Sequence, residues 1–394
     1  MRMGSSSAAR FHSSRALLGL AIVFGASVLL SPVDRDGRVI FLDPVNLSNV
    51  SRQVAENGIL SVGMTVVVLI GGIDLSVGSV MALGATLTAM LFMERQWTLA
   101  SGLAVGAEAA VGALVACWLV ARVLAGTAAR GWVAGVAGTA VAGGALWWGA
   151  RQVQTGFGVL GAALPVVCVG VLLGSLSGAI VARGKLQPFV VTLAMMSAAL
   201  GLARLSSSGA ARDIGFGAGA APVAFRVLRE PIGGYFPVPA LFFVAAAAGV
   251  WVLLQHTRFG RHVYAIGGNE EAARLSGVFV DRAKLAAFAL SGGLSALTGV
   301  IHCAQNLQGN PNDGIGLELD AIAAVVIGGT SLTGGRGSVL GTLVGVLVIG
   351  ILNNIMSLRN VDANFQLILK GAIIVLTVLF QEGRFGVFTR REQK

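Results

Sequence analysis

Charged residues are scarce in this sequence, and their scarcity excludes most water-soluble folds. Only 12% of the 394 residues are Asp, Glu, Lys or Arg, whereas 55% are hydrophobic. Soluble domains average about 25% charged residues. A soluble fold of this size could not bury so much apolar surface, so lipid must be the solvent for much of the chain. We therefore expect an all-α, polytopic transmembrane helix bundle, in which the 56 glycines allow close helix packing.

Cysteine and histidine are too few and too scattered to indicate a metal or redox site. Cys117, Cys168 and Cys303 stand singly inside apolar stretches, and the 4 histidines show no ligand spacing. The chain has no G-x-x-x-x-G-K-[ST] phosphate loop and no triad or paired-carboxylate pattern. A G-x-G-x-x-G match at 156–161 opens an apolar stretch with no strand before it, so it does not indicate a dinucleotide site. We expect no catalytic residue, no metal and no cofactor bound by this chain.

The net charge of +10 does not indicate a nucleic-acid partner. The basic residues form no stripe with interleaved aromatics and fall in short loops between apolar runs, as the positive-inside rule predicts for membrane proteins. With the N-terminus in the cytoplasm, 17 of the 28 Lys and Arg residues lie inside, 10 lie outside, and Lys370 lies within the last span. This bias predicts that both termini are cytoplasmic.

Twelve apolar stretches are candidate membrane helices, because a bilayer core needs about 20 apolar residues per helix. They are 16–31, 54–71, 76–93, 99–121, 131–150, 159–182, 188–204, 238–255, 285–304, 319–332, 338–356 and 365–381. Several are short or interrupted by glycine, so roughly 10–12 spans are expected, some of them broken. The first stretch is predicted to be an uncleaved span, since no small-x-small cleavage site precedes the charges at 34–36.

The chain contains an internal repeat. Residues 67–76 read VVLIGGIDLS and residues 324–333 read AVVIGGTSLT, and each is followed by a Gly-Ser-Val step. Both turns face the cytoplasm in the predicted topology, so the repeat is parallel, with halves at about 50–204 and 238–381. Chance similarity between two apolar, Gly-rich segments is the alternative, but the shared Ile-Gly-Gly favours duplication.

The polar segment 256–284 is predicted to contain a short helix at 270–276. Asn269 is a good N-cap, Glu270 and Glu271 suit the positive end of a helix dipole, and Gly277 suits the helix end. A helix of two turns is marginal in water, so it docks either on its own bundle or on a partner. From these residues alone, an ordinary structured loop is the simpler interpretation.

A few polar residues interrupt the apolar stretches, where they are costly and often functional. Asp74 and Ser76 lie in the first repeat turn, where Asp74 either binds free backbone amides or faces a solute hydroxyl. Asp320 begins the second repeat, either as a helix-dipole partner or as a lining of a path. Asn353 and Asn354 are expected to make interhelical hydrogen bonds, with solute contact as the alternative. Glu108 lies in a Gly/Ala-rich region that the pattern does not place, and Lys370 is expected to snorkel.

Several strings together resemble one family. GIDLSVGS at 72–79, GKLQPFVVTL at 184–193, YAIGGNEEAARLSGV at 264–278 and ELDAIAAVVIGGTSLTGGRGS at 318–338 resemble the permease subunits of ATP-binding-cassette (ABC) importers, in the ribose and xylose branch for monosaccharides. Within this branch, the strings at 264–278 and 318–338 most resemble D-xylose permeases. The resemblance covers roughly 50–93 and 165–381, while 94–158 looks like two extra spans.

The resemblance implies a function and a set of partners. The chain would be a single permease domain, 1–394, in a bacterial inner membrane, importing a monosaccharide such as D-xylose. A partner subunit would bind and hydrolyse ATP with magnesium, a periplasmic protein would deliver the sugar, and a second permease copy would complete the path. The coupling helix seated in the ATPase subunit would consist of Gly268, Asn269, Glu270, Glu271, Ala272, Ala273, Arg274, Leu275, Ser276 and Gly277.

Two other classes of function remain as alternatives. An ion-coupled secondary transporter of a small polar solute would require facing charges in mid-membrane, and no convincing set is evident. A membrane enzyme or scaffold is disfavoured by the lack of a catalytic cluster and by the repeat. Within the preferred class, ribose, galactose, autoinducer-type sugars and nucleosides are the rival substrates.

Overall fold

The computed structural model describes residues 5–93, 158–215 and 223–381, together with short helical pieces at 105–107, 110–112 and 114–115. Most of these residues are helical. The helices are α1 Ser5–Leu30, α2 Pro44–Leu69, α3 Val77–Met93, α4 Val159–Gly184, α5 Pro188–Ser207, α6 Val238–His256, α7 Arg258–Gly268, α8 Glu270–Leu275, α9 Val280–Asn306, α10 Leu317–Ile327, α11 Val339–Leu358 and α12 Ala363–Gln381. Short 3-10 helices occupy Ile40–Leu42 and Val223–Leu228, and β1 (Arg212–Asp213) pairs antiparallel with β2 (Gln308–Gly309).

The helices confirm the prediction of an all-α membrane bundle. Five of them, α4, α5, α6, α9 and α11, are long and apolar enough to cross a membrane by length and composition. Shorter apolar stretches lie at Leu17–Leu30, Val77–Met93 and Asn364–Leu379. The candidate spans at 99–121 and 131–150, with Glu108, lie outside the fully described residues.

The candidate span at 319–332 is wrong as a full crossing. Its helix, α10, has 11 residues, which at about 1.5 Å each cover about 16 Å of a bilayer core of about 30 Å. Similarly, α3 has 17 residues and covers about 26 Å. Both are broken elements of the kind that the glycine interruptions indicated, and surrounding helices bury their backbones.

The bundle is built around α2 and α9. Helix α9 packs on α2, α3 and α4, and most of its apolar window is buried. Three glycines spaced four residues apart on α4, Gly170, Gly174 and Gly178, face α9. A Cβ at Gly174 would clash with the Phe288 carbonyl, so the two backbones touch. This contact is the small-residue helix packing that the glycine content predicted.

Each copy of the repeat forms a helix, a glycine turn and a second helix. The turn between α2 and α3 lies beside the turn between α10 and α11, and the Gly335 amide donates to the Leu69 carbonyl at 2.9 Å. The copies differ within the shared Ile-Gly-Gly, where the left-handed residue is the first glycine in one copy, Gly71 at φ +78°, and the second glycine in the other, Gly329 at φ +87°. These turns lie at the same end of the bundle as α7 and α8, and we call it the α8 end. The opposite end carries β1 and β2, and we call it the sheet end.

Candidate functional site

Helix α8 spans Glu270–Leu275, one residue shorter than the helix predicted at 270–276. Asn269 Oδ1 accepts a hydrogen bond from the Ala272 amide at 2.9 Å, which is an N-cap. The helix ends at Leu275, and Gly277 adopts φ +82° two residues later. The Val278 amide donates to the Ala273 carbonyl at 3.0 Å, so the chain turns back immediately. The local pattern therefore sets where the short helix begins and ends.

Ion pairs hold α8 against the start of α9. Lys284 Nζ lies 2.7 Å from Glu270 Oε2, and Arg274 Nη2 lies 3.3 Å from Glu270 Oε1 and 3.6 Å from Asp281 Oδ1. Partial burial raises the pKa of Glu270, but the hydrogen bonds and charges of Lys284 and Arg274 outweigh it and leave the pKa below its ordinary value. Glu270 is therefore a structural anchor of α8.

One face of α8 remains open. Ala273 is buried against the bundle, whereas Glu271, Ala272 and Ser276 are exposed and Leu275 is 81% exposed. Phe279 is 60% exposed beside it, with the Arg282 guanidinium 4.3 Å from its ring centre. A fixed helix that presents a glutamate between small and apolar side chains is suited to docking on a protein groove.

Helix α7 was not predicted from the sequence. It runs from Arg258 to Gly268 directly before α8, and it buries Phe259, Val263 and Ile266 under the bundle. The spacing of these residues is amphipathic, so the signal was present within the polar segment 256–284. Burial and the neighbouring Arg261 and Arg258 lower the pKa of His262 on this helix.

Asp74 and Ser76 form a buried group near the middle of the bundle. Asp74 Oδ1 accepts from the Ser76 amide at 3.0 Å and from Ser76 Oγ at 2.6 Å, while Oδ2 accepts from Ser291 Oγ at 2.8 Å. Asp74 is 2% exposed, and Ser291 lies near the middle of α9. The carboxylate thus joins the broken start of α3 to the central helix.

Asp320 forms a second buried group with residues of two other helices. Asn353 Nδ2 of α11 donates to Asp320 Oδ2 at 3.0 Å, and Lys370 Nζ of α12 lies 2.9 Å from each carboxylate oxygen. The expectation that Lys370 snorkels is wrong, since its ammonium group turns inward to a carboxylate in an apolar setting. No local sequence pattern indicates this pairing, because 50 residues separate the partners.

Asn354 binds a different helix from its neighbour Asn353. Asn354 Nδ2 donates to Asn46 Oδ1 at 2.9 Å, and Asn46 Nδ2 donates to Asn354 Oδ1 at 3.2 Å. This reciprocal amide pair joins α11 to the first turn of α2 at the sheet end. Both asparagines therefore make the interhelical hydrogen bonds expected of them, and the structure places them in separate groups.

A polar cluster at the sheet end was missed by sequence reasoning. His302 Nδ1 lies 2.7 Å from Glu56 Oε2, and His302 Nε2 lies 3.2 Å from Asp313 Oδ2. Asn310 donates to the other oxygen of Asp313 at 2.7 Å. The side chains of His302, Glu56 and Asp313 are 14%, 16% and 25% exposed, so each is partly accessible to solvent. Ligand spacing along the chain could not reveal a contact between residues 246 apart.

Broken helices beside buried polar groups, with a short capped helix held at one end, are features of a membrane transport protein. Residues 46–378 match the family described as "Branched-chain amino acid transport system / permease component". The chain belongs to this family.

Individual relatives support the same assignment. The ribose import permease protein of Escherichia coli K12 is 37% identical over 365 residues, covering 93% of this chain and 92% of the relative. The corresponding Bacillus subtilis 168 protein is 37% identical over 92% of this chain and 90% of its own length. The xylose transport system permease protein of E. coli K12 is 37% identical over 86% of this chain and 85% of its own length. These matches confirm the resemblance to the monosaccharide branch of ABC permeases. No solved structure matches this chain significantly.

Proposed function

We propose that this chain is the permease subunit of an ABC importer that moves a pentose into the cytoplasm. The single observation that carries the proposal is α8, a capped and ion-paired helix whose outer face is exposed beside a membrane bundle. Family membership supports the same function, since the matched relatives are permeases named for ribose and xylose.

The proposed partner at the α8 end is an ATP-hydrolysing subunit. A groove of this subunit receives the face formed by Glu271, Ala272, Leu275 and Ser276. The partner subunit, and not this chain, binds ATP with magnesium. The Glu270–Lys284 and Arg274–Asp281 pairs tie α8 to the start of α9. A movement of α8 therefore acts on the bundle.

The sugar is proposed to be a pentose, without preference for D-xylose. The ribose and xylose relatives are equally identical to this chain, but the ribose match covers more of it. D-ribose and D-xylose differ only in the orientation of a hydroxyl group. A periplasmic binding protein that docks at the sheet end supplies the selection, so the permease itself needs few sugar contacts.

The buried polar groups are proposed to have structural roles. All the hydrogen bonds of Asp74 go to Ser76 and Ser291, which fits an anchor for the start of α3. Asp320 is held in the same manner by Asn353 and by Lys370. Two copies of this single permease domain, with both termini in the cytoplasm of a bacterial inner membrane, complete the translocation path.

The test replaces the exposed glutamate of α8. The tagged chain is purified in mild detergent from its native membrane, as wild type and as Glu271→Arg, and the eluate is assayed for vanadate-sensitive ATPase. We expect ATPase activity to co-elute with the wild type and to be lost in the variant, because charge reversal opposes docking. Gln255→Arg serves as the control, since it places an arginine at another exposed position of the α8 end.

Two outcomes contradict the proposal differently. ATPase activity that still co-elutes with Glu271→Arg rules out a docking role for this face of α8. A well-folded wild type that brings no ATPase at all rules out the ABC class, and it favours an ion-coupled secondary transporter of a small polar solute. The Asp320–Lys370 pair would then be the first place to search for ion coupling.

A further inference from the structure

We propose that a junction of glycine backbones under α7 carries the movement of α8 to both turns of the repeat, with Gly267 as the positioning residue. We call this contact the glycine junction, and it consists of Leu69, Gly71, Gly267, Gly334 and Gly335. The inference rests on the proposed function, because it assumes that an ATPase subunit moves α8.

Gly267 brings α7 into backbone contact with both turns at once. A Cβ at this position would clash with the Leu69 carbonyl oxygen and the Gly335 amide nitrogen, and it would lie 3.0 Å from Gly335 Cα. Leu69 ends α2, and Gly335 belongs to the turn before α11. No residue larger than glycine fits unless one of these backbones moves.

The two turns are also joined to each other at this point. The Gly335 amide donates to the Leu69 carbonyl at 2.9 Å. A Cβ at Gly334 would lie 2.8 Å from the Gly71 nitrogen and 2.9 Å from Gly267 Cα, and Gly334 has φ +87°. Three chain segments thus meet with no side chain between them. Flexible side chains could absorb a displacement by changing rotamer, but touching backbones must move together.

A second tie lies one turn earlier on α7. Tyr264 Oη donates to the Gly337 carbonyl at 3.0 Å. Burial raises the pKa of this phenol, so it remains a donor throughout the physiological range. Tyr264 and Gly267 are three residues apart and therefore lie on the same face of the helix.

The connection from the junction to α8 is short. Asn269 alone separates α7 from α8, and its backbone amide donates to the Ala265 carbonyl at 3.1 Å while its side chain caps α8. Movement of α8 therefore shifts Gly267, which is only two residues away from Asn269. On the far side, the chain runs from Leu69 and Gly71 to Asp74, whose carboxylate holds Ser291 in the central helix.

The test separates transport from ATP hydrolysis in Gly267→Ala. The complex is purified with its native ATPase and binding protein and reconstituted in liposomes, where uptake of radiolabelled D-ribose and D-xylose is measured per ATP hydrolysed. We expect the ATPase to remain bound, because the face of α8 is unchanged, and uptake per ATP to fall about tenfold, because the added methyl separates packed backbones. Gly249→Ala is the matched control, since nothing lies within 4 Å of a Cβ there.

Tyr264→Phe keeps the inference testable if Gly267→Ala does not fold. This variant removes one hydroxyl and should lower uptake per ATP severalfold with the ATPase still bound. The inference is overturned if Gly267→Ala folds and keeps the wild-type uptake per ATP. If Gly267→Ala does not fold, wild-type uptake per ATP in Tyr264→Phe overturns it. A wild type that carries no ATPase overturns the proposed function instead, so the two failures are distinguishable.

Discussion

The side chain of Lys370 is expected to stabilise the folded protein because it neutralises a buried carboxylate. Asp320 is 2% exposed, and Lys370 Nζ lies 2.9 Å from its oxygens. Removing one partner of a buried ion pair costs about 3–5 kcal/mol, since the other charge is left unpaired. Lys370→Met should therefore lower the midpoint of thermal unfolding in detergent and the yield of folded protein.

The double variant Lys370→Met/Asp320→Leu distinguishes pairing from packing. Replacing both charged partners with apolar residues removes the unpaired charge, so stability should return to near the wild type. If the double variant is as unstable as Lys370→Met, the pair does not act by neutralising charge. If Lys370→Met alone is as stable as the wild type, Asp320 is held by Asn353 or by water.

Side chains that act on near neighbours could be predicted, and those that act on distant ones could not. The roles of Asn269 and Gly277 follow from a helix end, which only a few residues determine. The contacts of Lys370 with Asp320 and of His302 with Glu56 depend on how helices are placed in the bundle. A single sequence contains no local signal for such a placement.

At the scale of elements, the contact between α4 and α9 should be sensitive to side-chain volume. A Cβ at Gly174 would clash with the Phe288 carbonyl oxygen and lie 2.9 Å from the carbonyl carbon. Overpacking costs about 1–3 kcal/mol and more where backbones must separate. Gly174→Leu should therefore lower the unfolding temperature and the folded yield in detergent.

Gly201→Leu provides the matched control for this packing contact. Gly201 lies in α5, and nothing lies within 4 Å of a Cβ there. The same change of residue should leave the unfolding temperature close to that of the wild type. If both substitutions lower the unfolding temperature equally, the loss of stability comes from replacing glycine in any helix. It then does not come from the close approach of α4 to α9.

Long apolar elements were predictable, whereas short ones depend on tertiary packing. The stretches 159–182 and 188–204 became α4 and α5 with boundaries shifted by a few residues. In contrast, α10 stops after 11 residues because Gly329 adopts φ +87° and the Thr330 amide turns back to the Val325 carbonyl at 3.2 Å. Helix α7 lies in a polar segment, where a search for apolar spans does not detect it.

At the scale of the whole molecule, the two ends of the bundle differ in chemistry. The α8 end carries α7, α8 and the glycine turns, and the sheet end carries the cluster of His302, Glu56 and Asp313. An importer needs such a difference, because a nucleotide-driven partner acts on one side of the membrane and the solute arrives on the other. The orientation of the chain therefore decides whether the proposed partners can reach their surfaces.

Labelling of single cysteines tests this orientation directly. Cys117, Cys168 and Cys303 are replaced by alanine, and either Arg261→Cys on α7 or Ala210→Cys near the sheet end is added, both at exposed positions. The positive-inside bias predicts that a membrane-impermeant maleimide labels Ala210→Cys in intact spheroplasts. Arg261→Cys should be labelled only after the membrane is opened, and the parent without added cysteines gives the background. The reverse pattern would place α8 outside the cell, where no ATPase subunit could dock on it, and would contradict the importer proposal.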